Sequence, residues 1–249
     1  MNNKIAVLFS GGSDSTLAAA IAAERFRQVY LVTFQHPFML RHDKININIS
    51  ALRRKYPDCN FIYHKEKINS LYKRLYFGKY VSYIKKYGSM VIPWICGACK
   101  LSMHLKTIAF CGSNNICHVF CGAHEESAHI FPAQMPKIIE RTQKIYQNYG
   151  IAYETPVYRK DRTDKILFDM GIIQNPNVKQ QHLIYSTQHT CLLGVLLHAH
   201  SQIYYKPLFG LPQYQRNAYR FFSSKIEDID MDTLLQGMEN NGNSRPEQS

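Results

Sequence analysis

A chain of 249 residues, 45% hydrophobic and 19% charged, is long enough for one α/β domain with a small extension and too apolar to be intrinsically disordered. Its formal net charge of +12 reads either as a soluble basic protein or, more sharply, as one with a polyanionic partner, RNA the natural candidate. No apolar run approaches the ~20 residues of a membrane span, and seven cysteines, an odd number, favour thiol or metal chemistry over a disulfide framework.

Lys4–Phe9 reads as a first strand and Ser13–Phe26 as a first helix, with Ser10-Gly11-Gly12-Ser13-Asp14-Ser15 at their junction. This order makes an anion cradle. The glycines lack Cβ atoms, so backbone N–H groups close on a phosphate, and the helix aims its positive end at the same anion. Ser13 or Ser15 adds hydroxyl donors. Asp14 inside such a loop implies either a Mg²⁺ accompanying the nucleotide or a carboxylate that caps the helix. Gly11 to Ser15 also interrupts what would otherwise mimic a secretion signal, so a cytoplasmic location is expected. Val29–Phe34 is a second strand, Asn46–Lys55 a helix ended by Pro57-Asp58, and Asn60–His64 a third strand. The alternation predicts an α/β fold with a doubly wound, mostly parallel sheet that binds nucleotide at the carboxyl ends of its strands.

Between Leu71 and Tyr87 the residues Tyr72, Arg74, Tyr76, Lys79, Tyr80, Tyr83, Lys85 and Lys86 form either an RNA-facing surface or, more simply, a core edge with solvated lysines. Cys96-Gly97-Ala98-Cys99, followed by the helical stretch Leu101–Lys106, places two thiols one turn apart at a helix N-terminus, where the dipole lowers thiol pKa. Ile116–Cys121 is a fourth strand, with Cys117 and Cys121 as core residues and Gly122-Ala123-His124 at its end. Pro132–Tyr149 is a helix, Tyr153–Tyr158 a short strand, and Asp161–Met170 a helix capped by Asp161 or Thr163. Cys59 and Cys111 read as inert buried thiols. Cys191 lies far downstream; Cys96, Cys99 and Cys191 with His104 or His189 would make up the four ligands of a zinc site, although a second CxxC is absent, and a redox disulfide or a metal-free pair stays open. The expected organisation is a nucleotide-binding domain over 1–200, a basic aromatic C-terminal extension packed on it over 201–235, and a disordered tail over 236–249.

The spelling of Ser10–Ser15 resembles the SGGxDS signature of the PP-loop ATP pyrophosphatases. That superfamily includes tRNA thiolation enzymes, 7-cyano-7-deazaguanine synthases and phosphoadenylylsulfate reductases. No Gly-Lys-Ser/Thr follows, so the loop is not a Walker A loop. The resemblance spans roughly residues 4–195 and is specific at 10–15. It implies a Rossmann-like fold of the HUP type that holds ATP with Mg²⁺. Ser10, Gly11, Gly12, Ser13, Asp14 and Ser15 would grip the pyrophosphate, and Thr33, Phe34, Gln35, Gly122 and His124 would lie along the nucleoside. The implied reaction is adenylation of a substrate carbonyl oxygen with release of pyrophosphate, followed by sulfur transfer. Asp14, Cys99 and Cys191 are then the catalytic candidates. Cys96, Cys99 and Cys191 resemble the three ligands of a [4Fe-4S] cluster in one thiolation branch, with Zn²⁺ the rival metal; tRNA and a sulfur donor would be partners. This chain departs from the thiolase pattern: Ala123 is inserted between Gly122 and His124, Glu125 and Ala128 stand where the pattern has asparagine and aspartate, and no separate RNA-binding domain is legible. An amide- or nitrile-forming enzyme of deazaguanine type, a non-catalytic nucleotide-binding module and a homodimer stay open.

Overall fold

The computed structural model describes residues 3–36, 39–40, 45–77, 81, 84–85, 91–129, 131–177 and 190–227. β1 (Lys4–Leu8) is buried along almost its whole length, as a strand covered on both faces must be. α1 (Ser13–Arg25), β2 (Gln28–Gln35), α2 (Ile45–Lys55), β4 (Asn60–Lys67), α3 (Asn69–Phe77), α4 (Val91–Asn114), β5 (His118–Cys121), α5 (Pro136–Asn148), β6 (Ala152–Glu154) and α6 (Thr163–Asp169) follow. A two-residue strand β3 (Met39–Leu40) branches off after β2 and pairs antiparallel with β7 (Thr190–Cys191), Met39 opposite Cys191.

Among the described residues the main sheet has the order β4-β2-β1-β5-β6, and every neighbouring pair is parallel. The chain winds outward from β1 through β2 to β4, then returns to β5 and winds the other way. The reversal falls between β1 and β5, where such sheets open a crevice for ligands. Register brings the crevice together. Leu8 stands beside both Val32 and Cys121, so the segments after β1, β2 and β5 emerge side by side.

The period-2 alternation of β1 sorts its residues onto two cores. Ile5, Val7 and Phe9 join Leu17, Ala19, Leu52 and Leu167 under α1, α2 and α6. Ala6 and Leu8 face the opposite layer with Leu105, Ile108, Ile138 and Tyr146 of α4 and α5. The buried alanines of α1 (Ala18, Ala19, Ala20 and Ala22) leave no bulk between that helix and the sheet. This short approach places its first turn at the strand ends.

The C-terminal region runs as α7 (Leu192–Ala199), a π-helical segment His200–Tyr205, α8 (Lys206–Phe209) and α9 (Leu211–Glu227). Tyr214, Ala218 and Phe222, spaced four apart, bury one stripe of α9 in the second core. Tyr72 and Tyr76 stack on each other inside that core, 5.7 Å between centroids. They are thus packing residues, while Arg74 is exposed. Lys79, Tyr80, Tyr83, Lys86, His189 and the expected tail 236–249 lie outside the described residues.

Three local expectations are corrected. Cys117 precedes β5 and is exposed; only Cys121 of that pair is buried. α4 begins at Val91, so Cys96 and Cys99 are its sixth and ninth residues rather than its N-terminus. α6 begins at Thr163 behind a left-handed Arg162 (φ 50°), and no side chain caps it. The Thr163 hydroxyl is engaged elsewhere.

Candidate functional site

The loop after β1 is wired to itself. Ser15 Oγ donates to the Gly12 carbonyl (3.0 Å), accepts from the Ser10 amide (3.2 Å) and meets Ser10 Oγ at 3.1 Å. Gly11 adopts φ +80°, a conformation a side chain would strain. Two residues from other elements hold the loop from outside. Asn48, buried on α2, donates its amide to the Gly11 carbonyl (2.8 Å) and to Thr16 Oγ1 (3.3 Å). Within the loop the Gly12 amide donates to Ser10 Oγ (3.4 Å), so its own serines and Asn48 together fix the backbone beside the crevice.

Asp14 does not cap α1. Gly12 is the N-cap and no side chain caps that end. Instead Asp14 Oδ1 accepts a 2.6 Å hydrogen bond from Thr163 Oγ1, at the start of α6. The carboxylate is half-buried at the crevice and held in one orientation. It remains a candidate for the Mg²⁺ of a bound nucleotide.

Gly122 closes the other side. A Cβ built there would stand 2.7 Å from the Ser15 amide nitrogen and 2.8 Å from the Asp14 carbonyl carbon. Only hydrogen fits between the β5 loop and the start of α1. His124 is buried at 2% exposure and spends both ring nitrogens on backbone. Nδ1 accepts from the Glu126 amide (3.3 Å) and Nε2 donates to the Lys160 carbonyl (2.8 Å). It therefore ties the β5 loop to the loop before α6 rather than presenting its ring to a nucleotide. At the end of β2, Thr33 Oγ1 donates to the Phe9 carbonyl (2.6 Å), and Phe34 lies in the core. Of the three residues read there, only Gln35 stands half-exposed at the rim.

The fold brings Cys96, Cys99 and Cys191 together. Burial pushes the thiol of Cys99 up to about 12, with Cys191 adding to the rise and Lys100 opposing it. Cys96 is raised further, by burial first and then by Cys191 and Cys99. Helix position had implied the reverse; six residues into α4, desolvation outweighs the dipole. The hydroxyl of Tyr72 feels all three thiols. Its ring packs edge-on against His36, 4.3 Å between centroids, one residue past Gln35. The thiol group thus borders the carboxyl end of β2. Lys100 bridges toward the crevice, its Nζ 3.7 Å from Cys121 Sγ at the end of β5.

Three thiols, Cys99 buried and Cys96 and Cys191 half-buried, are a donor set suited to a thiophilic centre. Among the described residues no three His, Cys, Asp or Glu side chains stand close enough to hold one metal ion. His104 is removed from the zinc set as well: its Nδ1 pairs with the Tyr146 hydroxyl (3.0 Å) in the core, and burial, then Lys100, lowers its pKa.

A shallow surface cavity of about 460 Å³ lies far from this constellation, lined by Asn3, Arg25, Arg27, Tyr56 and Asp58 at the amino-terminal end of the sheet. It has none of the loop's donors. Sequence reading missed Asn48 and Thr163, which reach the loop from α2 and α6 and belong to no local motif; Lys100 directly follows the Cys96–Cys99 pair, but its reach to Cys121 is set by the fold. No described helix is long and apolar enough to cross a membrane.

Residues 4–52 match the family model described as queuosine biosynthesis protein QueC. No curated relative matches. Among solved structures, a 4-thiouridine synthetase in complex with RNA and bound ATP is 15% identical with a TM-score of 0.46, covering 87% of this chain and 53% of that one. The U34-tRNA thiolase NcsA from Methanococcus maripaludis, with its [4Fe-4S] cluster, is 13% identical with a TM-score of 0.44, covering 92% of this chain and 73% of that one. The chain therefore spans about half the length of the synthetase it matches. Strand β1, the Ser10–Ser15 loop, helix α1 and most of α2 fall inside the matched 49-residue segment, so the likeness to that family model covers the loop and the elements that hold it.

Proposed function

We propose that the protein is an ATP-dependent adenylating enzyme that passes sulfur to the activated position. Ser10–Ser15 hold the pyrophosphate, and Asp14, oriented by Thr163, would hold a Mg²⁺ that accompanies the nucleotide and would neutralise phosphate charge. A substrate carbonyl oxygen attacks the α-phosphorus; the bond to the β-phosphate oxygen breaks, and pyrophosphate leaves with that electron pair. The preorganised amides and the helix end neutralise the charge as it moves. A sulfur nucleophile then adds to the activated carbon and expels AMP. Cys96, Cys99 and Cys191 would hold an iron–sulfur cluster, which when bound supplies an iron able to carry a sulfide. The chain's own contribution at that point is to exclude water from the thiols and to set Lys100 between them and the crevice.

What supports this reading is the convergence of the three cysteines, from α4 and β7, at the end of β2 beside the loop. The test is anaerobic purification with iron and sulfide analysis, alongside pyrophosphate release and product mass. Cys96→Ala, Cys99→Ala and Cys191→Ala should each keep pyrophosphate release and lose sulfur incorporation. Sulfur incorporation that survives all three substitutions would overturn the proposal.

The match of residues 4–52 to the QueC family model favours a second reading, in which ammonia displaces AMP on a small molecule. A product heavier by nitrogen rather than sulfur, formed equally by the cysteine variants, would select it.

A further inference from the structure

α5 and α9 pack side by side, and each carries a basic stripe on the side turned away from the core. On α5, Lys137, Arg141 and Lys144 recur at helical spacing, while Ile138, Ile139, Thr142 and Tyr146 are buried beneath them. On α9, Arg216 and Arg220 are exposed, opposite the buried Tyr214, Ala218 and Phe222. Tyr219 forms the seam. Lys137 Nζ lies 5.3 Å from its ring centroid, and Arg141 reaches its hydroxyl. Glu140 is the exposed carboxylate that flanks these five cations. No step of the adenylation chemistry uses any of them.

The two stripes are tied to the thiol site. The buried face of α9 carries Tyr214, whose hydroxyl is raised in pKa by burial first and then by Cys96. One helix therefore has the thiols behind it and the cations in front.

We infer that the α5–α9 face docks the phosphate backbone of an RNA, the acceptor whose activated carbonyl receives the sulfur. Adjacent cations on two elements, interleaved with a partly exposed tyrosine, are the complement of a phosphodiester chain with an unstacked base. Both helices lie flat on the core along the opposite side, so neither can enter a major groove. That geometry suits a looped RNA read by charge and stacking rather than a DNA duplex. The assignment deepens the proposed sulfur transfer and rests on it only for the acceptor role; docking itself is measured without chemistry.

The experiment is fluorescence anisotropy of a fluorescein-labelled RNA stem-loop, titrated with the full chain across a series of salt concentrations. Binding should weaken steeply with salt. Arg216→Glu/Arg220→Glu should cut affinity by roughly tenfold or more at about 0.1 M salt and lower the log–log salt slope by about 2. Arg216→Lys/Arg220→Lys should keep most of both, since the charge is kept. Lys137→Glu/Lys144→Glu, on the other helix, should reproduce the loss. All variants should bind ATP as the wild type does. Salt-independent binding, or affinity unchanged by either reversal pair, would overturn the inference. So would co-sedimentation with phosphatidylserine vesicles by a protein that ignores the RNA. Loss of sulfur incorporation in Cys96→Ala with RNA affinity intact would separate a failure of this surface from a failure of the thiol chemistry.

Discussion

Gly122→Ala is the sharpest probe of the crevice. The added methyl would meet the Ser15 amide nitrogen at 2.7 Å, the Asp14 carbonyl carbon at 2.8 Å and Ser15 Cα at 2.9 Å. All three are backbone atoms at the start of α1, so no side chain can swing aside. To reach ordinary contact the two segments must separate by about 0.7 Å or more. The cradle's amides are part of one of them. Hydrogen bonds to a phosphate tolerate only a narrow span, about 2.7–3.2 Å, and such a displacement takes at least one amide out of it. A hydrogen bond to a charged group is worth about 1.5–3 kcal/mol, which corresponds to roughly a tenfold to a hundredfold loss of ATP affinity. Overpacking should also cost about 1–3 kcal/mol of stability. Isothermal titration with ATP and Mg²⁺, paired with chemical denaturation, reads both quantities. An alanine variant that binds ATP within twofold of wild type would show that β5 and the loop do not form one site, and the crevice would have to be placed elsewhere.

Thr163→Ala removes the 2.6 Å donor to Asp14 and should raise the Mg²⁺ concentration needed for half-maximal pyrophosphate release by about tenfold, with Thr163→Ser restoring it. A Mg²⁺ titration identical in all three proteins would make that contact incidental. Asn48→Ala leaves the Gly11 carbonyl without its 2.8 Å donor and should cost about 1–3 kcal/mol of folding stability, measured by urea denaturation. The buried thiols give the protein an alkaline limit. Burial raises Cys99 to about 12 from its ordinary 9.0. The folded state then keeps a proton that the unfolded state sheds, so this contribution is whole below pH about 9 and is lost as pH climbs toward 12. Urea midpoints of the metal-free protein should fall across that window, and less steeply in Cys99→Ala. Alkylation at neutral pH, followed by mass spectrometry, should label the exposed Cys117 before the buried Cys99 and Cys111. Early labelling of Cys99 would contradict its burial.

The nucleotide loop was legible from the chain alone because its physics is local. β1, the turn and α1 are contiguous, and the conformation they need is written in adjacent residues: an apolar run, Gly11 at positive φ, Gly12 as N-cap, Ser15 folded back on the turn. The parallel sheet followed from the alternation of short apolar runs with helices. The residues that finish the site are another matter. Asn48, Gly122 and Thr163 reach the loop only because crossovers set α2, the end of β5 and the start of α6 around it. Nothing in the neighbouring residues marks Asn48 or Thr163; Gly122 is legible at the end of a strand, but its close approach to Ser15 is not.

The cysteines divide in the same way. That Cys96 and Cys99 share a helix face is a matter of spacing. That Cys191 joins them, and that burial raises the thiols of Cys96 and Cys99, was decided by packing. Local reasoning placed the pair at a helix start and inferred a lowered pKa. α4 extends back to Val91 and its neighbours close over the sulfurs, so burial sets the sign. Thr33, Phe34 and His124 make the complementary point. Their positions at strand ends were read correctly, but tertiary contacts claim their side chains: Thr33 for Phe9, Phe34 for the core and His124 for Lys160. Sequence determines which backbone can cradle a phosphate, since that depends on consecutive dihedral angles; which side chains remain free to face the ligand depends on neighbours hundreds of atoms away along the chain, and only the folded arrangement decides it.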